Sequence, residues 1–356
     1  MKHLLSKRHY IAIFYLLFVL AVTAFVMITW GEVLHRTAFI VSHVVPGVPD
    51  WFESGRYEVQ VRRVELTMSN NSAPVSQNDS PSHAVYIYLP QGVEQSSFVI
   101  FVPGFTPEGA LDPRLVNLAR SFAGAGVGVA VPDSETVREK TFSGEDIGLI
   151  IDTFRYLQGR EYVDRERIGI TGFSIAGSYA LCAASALGHD PLFVLSLGGY
   201  FDLRELFTQV ISERAVYKHE KRSWEPDSLS KEVVFNVLAG QIGEKRANEL
   251  IEEDPSLDEA RKYVESLPQE FLSGFNNLSP SFVITKIKTR VFLMHDKNDD
   301  IIPVEESRKI RDALPQDVPL SYTEFSILRH VTPKTFFSMD ILKFSWQILN
   351  IVDLLV

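Results

Sequence analysis

Apolar positions along this chain follow two alternating rhythms. From Tyr57 to Met68 and from Ala84 to Leu89, polar and apolar residues alternate, the period of a half-buried strand. A polar stretch, Ser69 to Ser82, separates the two, which predicts an antiparallel pair at one side of a sheet. Phe98 to Val102 is apolar throughout, as expected for a strand covered on both faces. Leu115, Leu118, Ala119 and Phe122 then recur at helical spacing, Val127 to Val131 returns to strand, and Ile147, Ile150, Phe154 and Leu157 mark a second helical stripe. Ile168 to Thr171, a helix carrying Ala176, Tyr179, Ala180 and Ala183, and Leu192 to Leu197 follow. Strand and helix thus alternate four times, which predicts an α/β fold with a mostly parallel sheet flanked by helices on both faces.

Between Asp202 and Ser279 the alternation pauses in favour of charged, helical segments, too long for a loop and too regular for disorder. Residues 202–279 are therefore expected to form a helical cap inserted after the sixth strand, with His219 exposed on it. The sheet pattern resumes at Arg290 to His295 and near Leu320 to Phe325. A last helix, Lys334 to Leu355, places polar residues at 340, 343, 347, 350 and 353, predicted to face solvent while the opposite face packs on the sheet.

The N-terminus has a different character. Ile11 to Trp30 is 20 residues without a charge, about 30 Å as a helix, which matches a bilayer core. Tyr10 and Trp30 stand at its ends as interfacial aromatics do. Lys2, Lys7 and Arg8 precede it, whereas Glu32 and Arg36 cancel after it, so the N-terminus is expected on the cytoplasmic side. This predicts a cytoplasmic tail (1–9), a transmembrane signal anchor (10–30), a juxtamembrane linker made of a helix and a turn (31–55) and an extracytoplasmic domain (56–356). A cleaved signal peptide is the competing reading. Linker residues His35 and His43 read as surface or packed histidines.

Charge narrows the partners. A net charge of −10 with no visible basic face argues against nucleic acid. The single cysteine, Cys182, excludes an intramolecular disulfide and reads as a small buried thiol.

The candidate chemistry centres on Gly172-Phe173-Ser174-Ile175-Ala176, a G-x-S-x-[G/A] pattern between a strand and a small-residue helix. Such a nucleophile elbow lifts the serine hydroxyl clear of the sheet, and Gly172 is needed where a side chain would strike neighbouring backbone. A serine nucleophile requires a base oriented by an acid, in the chain order Ser, Asp or Glu, His. Of the nine histidines, His330 alone follows the acidic turn Asp296-Lys-Asn-Asp299-Asp300 and precedes the last helix. Asp299 is the expected acid, with Asp300 and Asp296 as alternatives, and His295 is expected to pack beneath that loop. One histidine amid oxygens on a single turn suits no common closed metal site, so neither metal nor other cofactor is expected. Oxyanion donors are expected from the N–H of Ile175 and, in Pro103-Gly104-Phe105-Thr106, from the N–H of Phe105, with Thr106 second.

Three stretches together resemble the α/β-hydrolase superfamily, within it the dienelactone-hydrolase-like and prolyl-oligopeptidase-like serine hydrolases. They are Val102 to Pro107, Arg167 to Ser174, and Leu278-Ser-Pro280 leading into Val291 to Pro303. The resemblance spans about residues 56 to 356 and implies hydrolysis through an acyl-enzyme, with Ser174, Asp299 and His330 as a triad. The chain departs from the family in having Pro103-Gly104 for His-Gly, and Asp296 for the glycine of His-Gly-x-x-Asp. The resulting expectation is a membrane-anchored carboxylesterase acting on a small-molecule or lipid-like ester. Alternatives are a peptidase or acyltransferase on the same triad, or a non-catalytic binding module at the membrane.

Overall fold

The computed structural model describes residues 31–41, 56–67, 82–253, 255–330, 332–333 and 340–356. The expected anchor at 10–30 lies outside these residues, as do His43 and most of the polar stretch after Met68. Among the described residues no helix is long and apolar enough to cross a membrane.

Eight strands form one sheet. They are β1 (Val59–Thr67), β2 (Ser82–Pro90), β3 (Ser96–Val102), β4 (Gly128–Pro132), β5 (Val163–Phe173), β6 (Phe193–Leu197), β9 (Arg290–Asp296) and β10 (Leu320–Phe325). Their spatial order is β1-β2-β4-β3-β5-β6-β9-β10. β2 is antiparallel to both β1 and β4, and every later pairing is parallel. The two alternating segments thus form the antiparallel side, and the apolar runs form the parallel body. β3 and β6 are buried along their whole length, as covering on both faces requires.

Side-chain alternation splits the core in two. Phe98, Ile100 and Val102 of β3 face α4 (Glu145–Gln158) and α5 (Ile175–Leu187), whereas Val99 and Phe101 face α2 (Pro113–Gly124) and α12 (Asp340–Leu355). Cys182 is buried in α5, where desolvation pushes its thiol up to about 12.

Residues 31–41, where the linker was expected to begin with a helix, form helix α1 and join the second core through Val33, Phe39 and Ile40. Arg36 donates to the Ala125 carbonyl at 2.7 Å, just past α2, and pairs with Glu32 one turn earlier. His35 is exposed, as expected.

The inserted segment holds α6 (Leu203–Ser212), α7 (Ser228–Ile242), α8 (Glu244–Glu252), α9 (Leu257–Glu265) and α10 (Gln269–Leu278). It also contains a hairpin the sequence did not signal, β7 (Arg214–Tyr217) with β8 (Glu220–Ser223), and His219 is exposed at its turn. α11 (Val304–Ala313) clamps the insertion to the sheet. Its buried Glu306 accepts from the amides of Phe201 and Asp202, from Gln209 of α6 and from Lys309. Burial opposes the Glu306 charge, but Lys309 and these donors hold its carboxyl below the usual range.

The polar stripe of the last helix does not all face solvent. Gln347 is buried and bonds Ser321 at 2.9 Å and Thr323 of β10, while Leu342 and Trp346 are 59% and 62% exposed. β10 presents hydroxyls to the helix, so a polar residue is the better inward partner there.

Candidate active site

The parallel strands of the sheet end on one side, and the loops beyond β3, β5, β6, β9 and β10 converge there. Ser174 follows β5 with φ 57° and ψ −135°, a conformation that costs a non-glycine residue strain and that surrounding structure must impose. A Cβ on Gly172 would run into the Ala176 carbonyl, and one on Gly104 would lie 2.7 Å from the Ser174 Cβ. Both positions accept only glycine for steric reasons. Gly172→Ala is expected to cost at least about 3 kcal/mol, since backbone rather than a movable side chain blocks the methyl. Urea unfolding would measure it; wild-type stability in that variant would show that the elbow is not held this tightly.

The Pro103-Gly104-Phe105-Thr106 loop is tied down at its far end. The Thr106 hydroxyl donates to Glu108 at 2.7 Å and to Asp112 at 3.1 Å, and Asp112 also caps α2. The loop therefore lies against the serine, with Phe105 packed edge-on to Phe142. Ile175 opens α5, so its N–H is among the first-turn amides that lack an intrahelical acceptor.

Asp299 and His330 meet directly. His330 Nδ1 donates to Asp299 Oδ2 at 2.7 Å, and both residues are buried. Asp299 Oδ1 accepts from the amides of Ile301 and Ile302, each at 2.9 Å. Burial disfavours its charge, but the two histidines beside it hold the carboxyl well below the usual carboxylate range. The carboxylate that meets His330 belongs to Asp299. Asp296 instead accepts from the amide of Asn298, and the Asp300 carbonyl accepts from the amide of Asp227.

The other nitrogen of His330, Nε2, is buried without a hydrogen-bond partner, so the Ser174 hydroxyl does not bond it in this structure. Both residues nevertheless line one cavity of about 550 Å³, within the usual range for small-molecule sites. His330 has φ 57° and packs over Gly198, where an added Cβ would lie 3.2 Å from its ring.

One site residue, Trp224, escaped the sequence, and His295 was anticipated in place but not as a partner of Asp299. His295 does pack under the acid loop, donating from Nε2 to the Ile302 carbonyl at 2.9 Å. The same nitrogen lies 3.2 Å from Asp299 Oδ2, so the acid is shared between two histidines. Burial lowers the His295 pKa, but Asp299 and the Ile302 carbonyl outweigh it and the net shift is upward. The four-residue spacing from His295 to Asp299 was the available signal. Trp224, in the insertion, donates from its indole to the Asp299 carbonyl at 2.8 Å, and nothing in its surroundings in sequence marks it. Ser230 of α7 likewise donates to the Ile301 carbonyl. The cap thereby grips the acid loop, and its Phe207 and Val234 line the cavity. Among the described residues no group of His, Cys, Asp or Glu is arranged to hold a metal.

At the sequence level no family model and no curated protein matches the chain. Solved structures do match. The 2,6-dihydroxy-pseudo-oxynicotine hydrolase is 18% identical over 82% of this chain and 68% of that one, with a TM-score of 0.52. Prolyl oligopeptidase B from Galerina marginata is 13% identical over 83% of this chain, with a TM-score of 0.54. A Mycobacterium tuberculosis puromycin-hydrolyzing peptidase is 17% identical over 86%, with a TM-score of 0.52. This chain spans 37% and 39% of those two peptidases. Strand order, the strained serine after β5 and these likenesses agree: the chain has the α/β-hydrolase fold.

Proposed function

We propose that this protein is a serine hydrolase, a carboxylesterase that cleaves esters through an acyl-enzyme. The observation that carries the reading is the state of His330. One ring nitrogen is fixed by Asp299, and the other is buried and unpartnered in the cavity that also contains a strained serine. A neutral histidine so held presents a lone pair at Nε2, the atom needed to take a proton from a serine hydroxyl. In this mechanism Ser174 Oγ attacks the carbonyl and His330 takes its proton, then delivers it to the departing alkoxide. The N–H groups of Phe105 and Ile175 receive the oxyanion, and water attacks the acyl-enzyme in the second half. Asp299 keeps the imidazole in the productive tautomer.

The cavity favours an ester over a peptide. A peptide backbone brings donors and acceptors that need partners, whereas most of this lining is apolar. Residues 10–30 are read as a membrane anchor, with residues 56–356 outside the cytoplasm, on the strength of the uncharged run and its flanking charges.

A fluorophosphonate probe tests the chemistry. The full-length protein is expected to label at Ser174, and labelling is expected to vanish in Ser174→Ala and His330→Ala. A folded wild-type protein that does not label would leave a binding module as the reading. Carbonate-resistant sedimentation with membranes and protease access to the C-terminus from outside the cytoplasm test the placement; release by carbonate would remove the anchor.

A further inference from the structure

The cavity around Ser174 extends in two directions. One arm runs beneath the insertion, against Phe142, Phe207 and Val234, which belong to the α4–α5 side of the core. The second lies on the opposite face of the sheet, between α1, α2 and α12. Its walls include Ile40, Leu118, Phe122, Phe344 and Ile348. That space is occupied in an ordinary two-layer packing by interdigitated side chains. Here it stays connected to the nucleophile.

The chemistry of the second arm is one-sided. Of the polar lining residues on α2 and its approach, Asp112 and Arg114 bind each other at 2.6 Å, and Asn117 is exposed at the surface of its helix. Thr171 is the polar side chain on the sheet wall. An amide, sugar or charged group entering this arm would lose its water without regaining partners. A run of methylenes would lose nothing and gain burial.

We propose that the arm between α1, α2 and α12 is a binding site for an unbranched aliphatic chain. The substrates are then long-chain aliphatic esters, with the ester carbonyl at Ser174 and the chain threaded away from the cap. This rests on the serine hydrolase reading above. The chain can belong to the acyl or the alkoxy side of the ester, since the shared chemistry is the same.

Full-length protein would be assayed with p-nitrophenyl acetate, butyrate, octanoate and laurate, which vary the acyl side. Methyl, butyl and octyl butyrate, followed by acid release, vary the alkoxy side. In one series kcat/KM is expected to rise about two- to fourfold per added methylene until the arm is full. The rising series identifies which part of the ester occupies the arm. Ile348→Trp and Leu118→Trp, both at partly exposed positions, are expected to lower the long-chain to short-chain ratio by at least about tenfold, by blocking several methylenes. Trp346→Ala, on the outer face of α12 and away from the lining, is expected to leave that ratio unchanged. Melting and fluorophosphonate labelling confirm that each variant is folded and active at the serine. Preference for the shortest ester in both series would overturn the proposal, as would an unchanged ratio in the two tryptophan variants. If the probe labels Ser174 and either result follows, only the chain-binding arm falls. If the probe does not label, the hydrolase reading falls with it.

Discussion

Ser174→Ala is expected to lower kcat on a p-nitrophenyl ester by about ten-thousand- to million-fold while leaving stability close to wild type. The size follows from the division of labour in a triad. Removing the nucleophile leaves only oxyanion stabilisation and binding, which retain a modest advantage over water. The small effect on stability follows from the backbone. Alanine at φ 57° and ψ −135° carries the same strain as serine, and the elbow geometry is imposed by the Gly172 and Gly104 contacts rather than by the hydroxyl. His330→Ala is expected to cost a similar factor, and the double variant little more, because the two act as a unit. Ester hydrolysis and urea unfolding on the same preparations would measure both. Activity within about tenfold of wild type in Ser174→Ala would move the chemistry to another residue.

Asp299→Asn is expected to cost about ten-thousand-fold in kcat. Its Oδ1 side faces two amides, so the asparagine oxygen is held there and the amide nitrogen turns towards His330. An N–H at that point forces Nδ1 to accept, which moves the ring proton to Nε2 and removes the lone pair the serine needs. The same N–H faces His295 Nε2, already committed to the Ile302 carbonyl, so a second donor–donor conflict arises. A pH effect on stability accompanies the loss. The folded-state pKa of Asp299 is depressed, so its contribution is present above the ordinary carboxylate value of about 4 and is lost as pH falls through the lower native one. His295, shifted upward, contributes below about 6.5 and loses that contribution as pH rises through its raised native value. The asparagine variant is expected to show a flatter acid limb in urea midpoint against pH. An unchanged limb, or near-normal turnover, would show that another group orients His330.

The parts of the molecule legible in sequence were those with long periods or obligatory order. The centre of β3 announced itself because a strand covered on both faces needs an unbroken apolar run, here Phe98 to Val102. The pairing of an acid with His330 was anticipated from chain order, and the structure brings Asp299 rather than Asp296 or Asp300 to it. The hairpin β7–β8 was invisible because its strands are four residues each, and β8 is exposed throughout and shows no alternation. Gln347 was misplaced because a helical stripe is read against an apolar partner, whereas β10 offers Ser321 and Thr323. His295 and Trp224 were missed as partners of Asp299 because their value lies in a tertiary contact. For α1 the helix was legible but its docking was not, because that rests on Arg36 finding the Ala125 carbonyl.

That docking of α1 changes what the segment before it can do. A connector of independent, solvated residues would act as a swivel, letting the catalytic body sample many orientations and heights. Gly31 to Val41 instead moves with the body, and its Ile40 forms part of the cavity wall. Whatever is joined ahead of Gly31 is therefore attached as to a rigid bracket. An anchor there would fix the angle at which the cavity meets the bilayer and its stand-off from the surface. Shortening the chain to begin at Arg56 would remove Ile40 and Val41 from the cavity wall, so the bracket and the pocket stand or fall together.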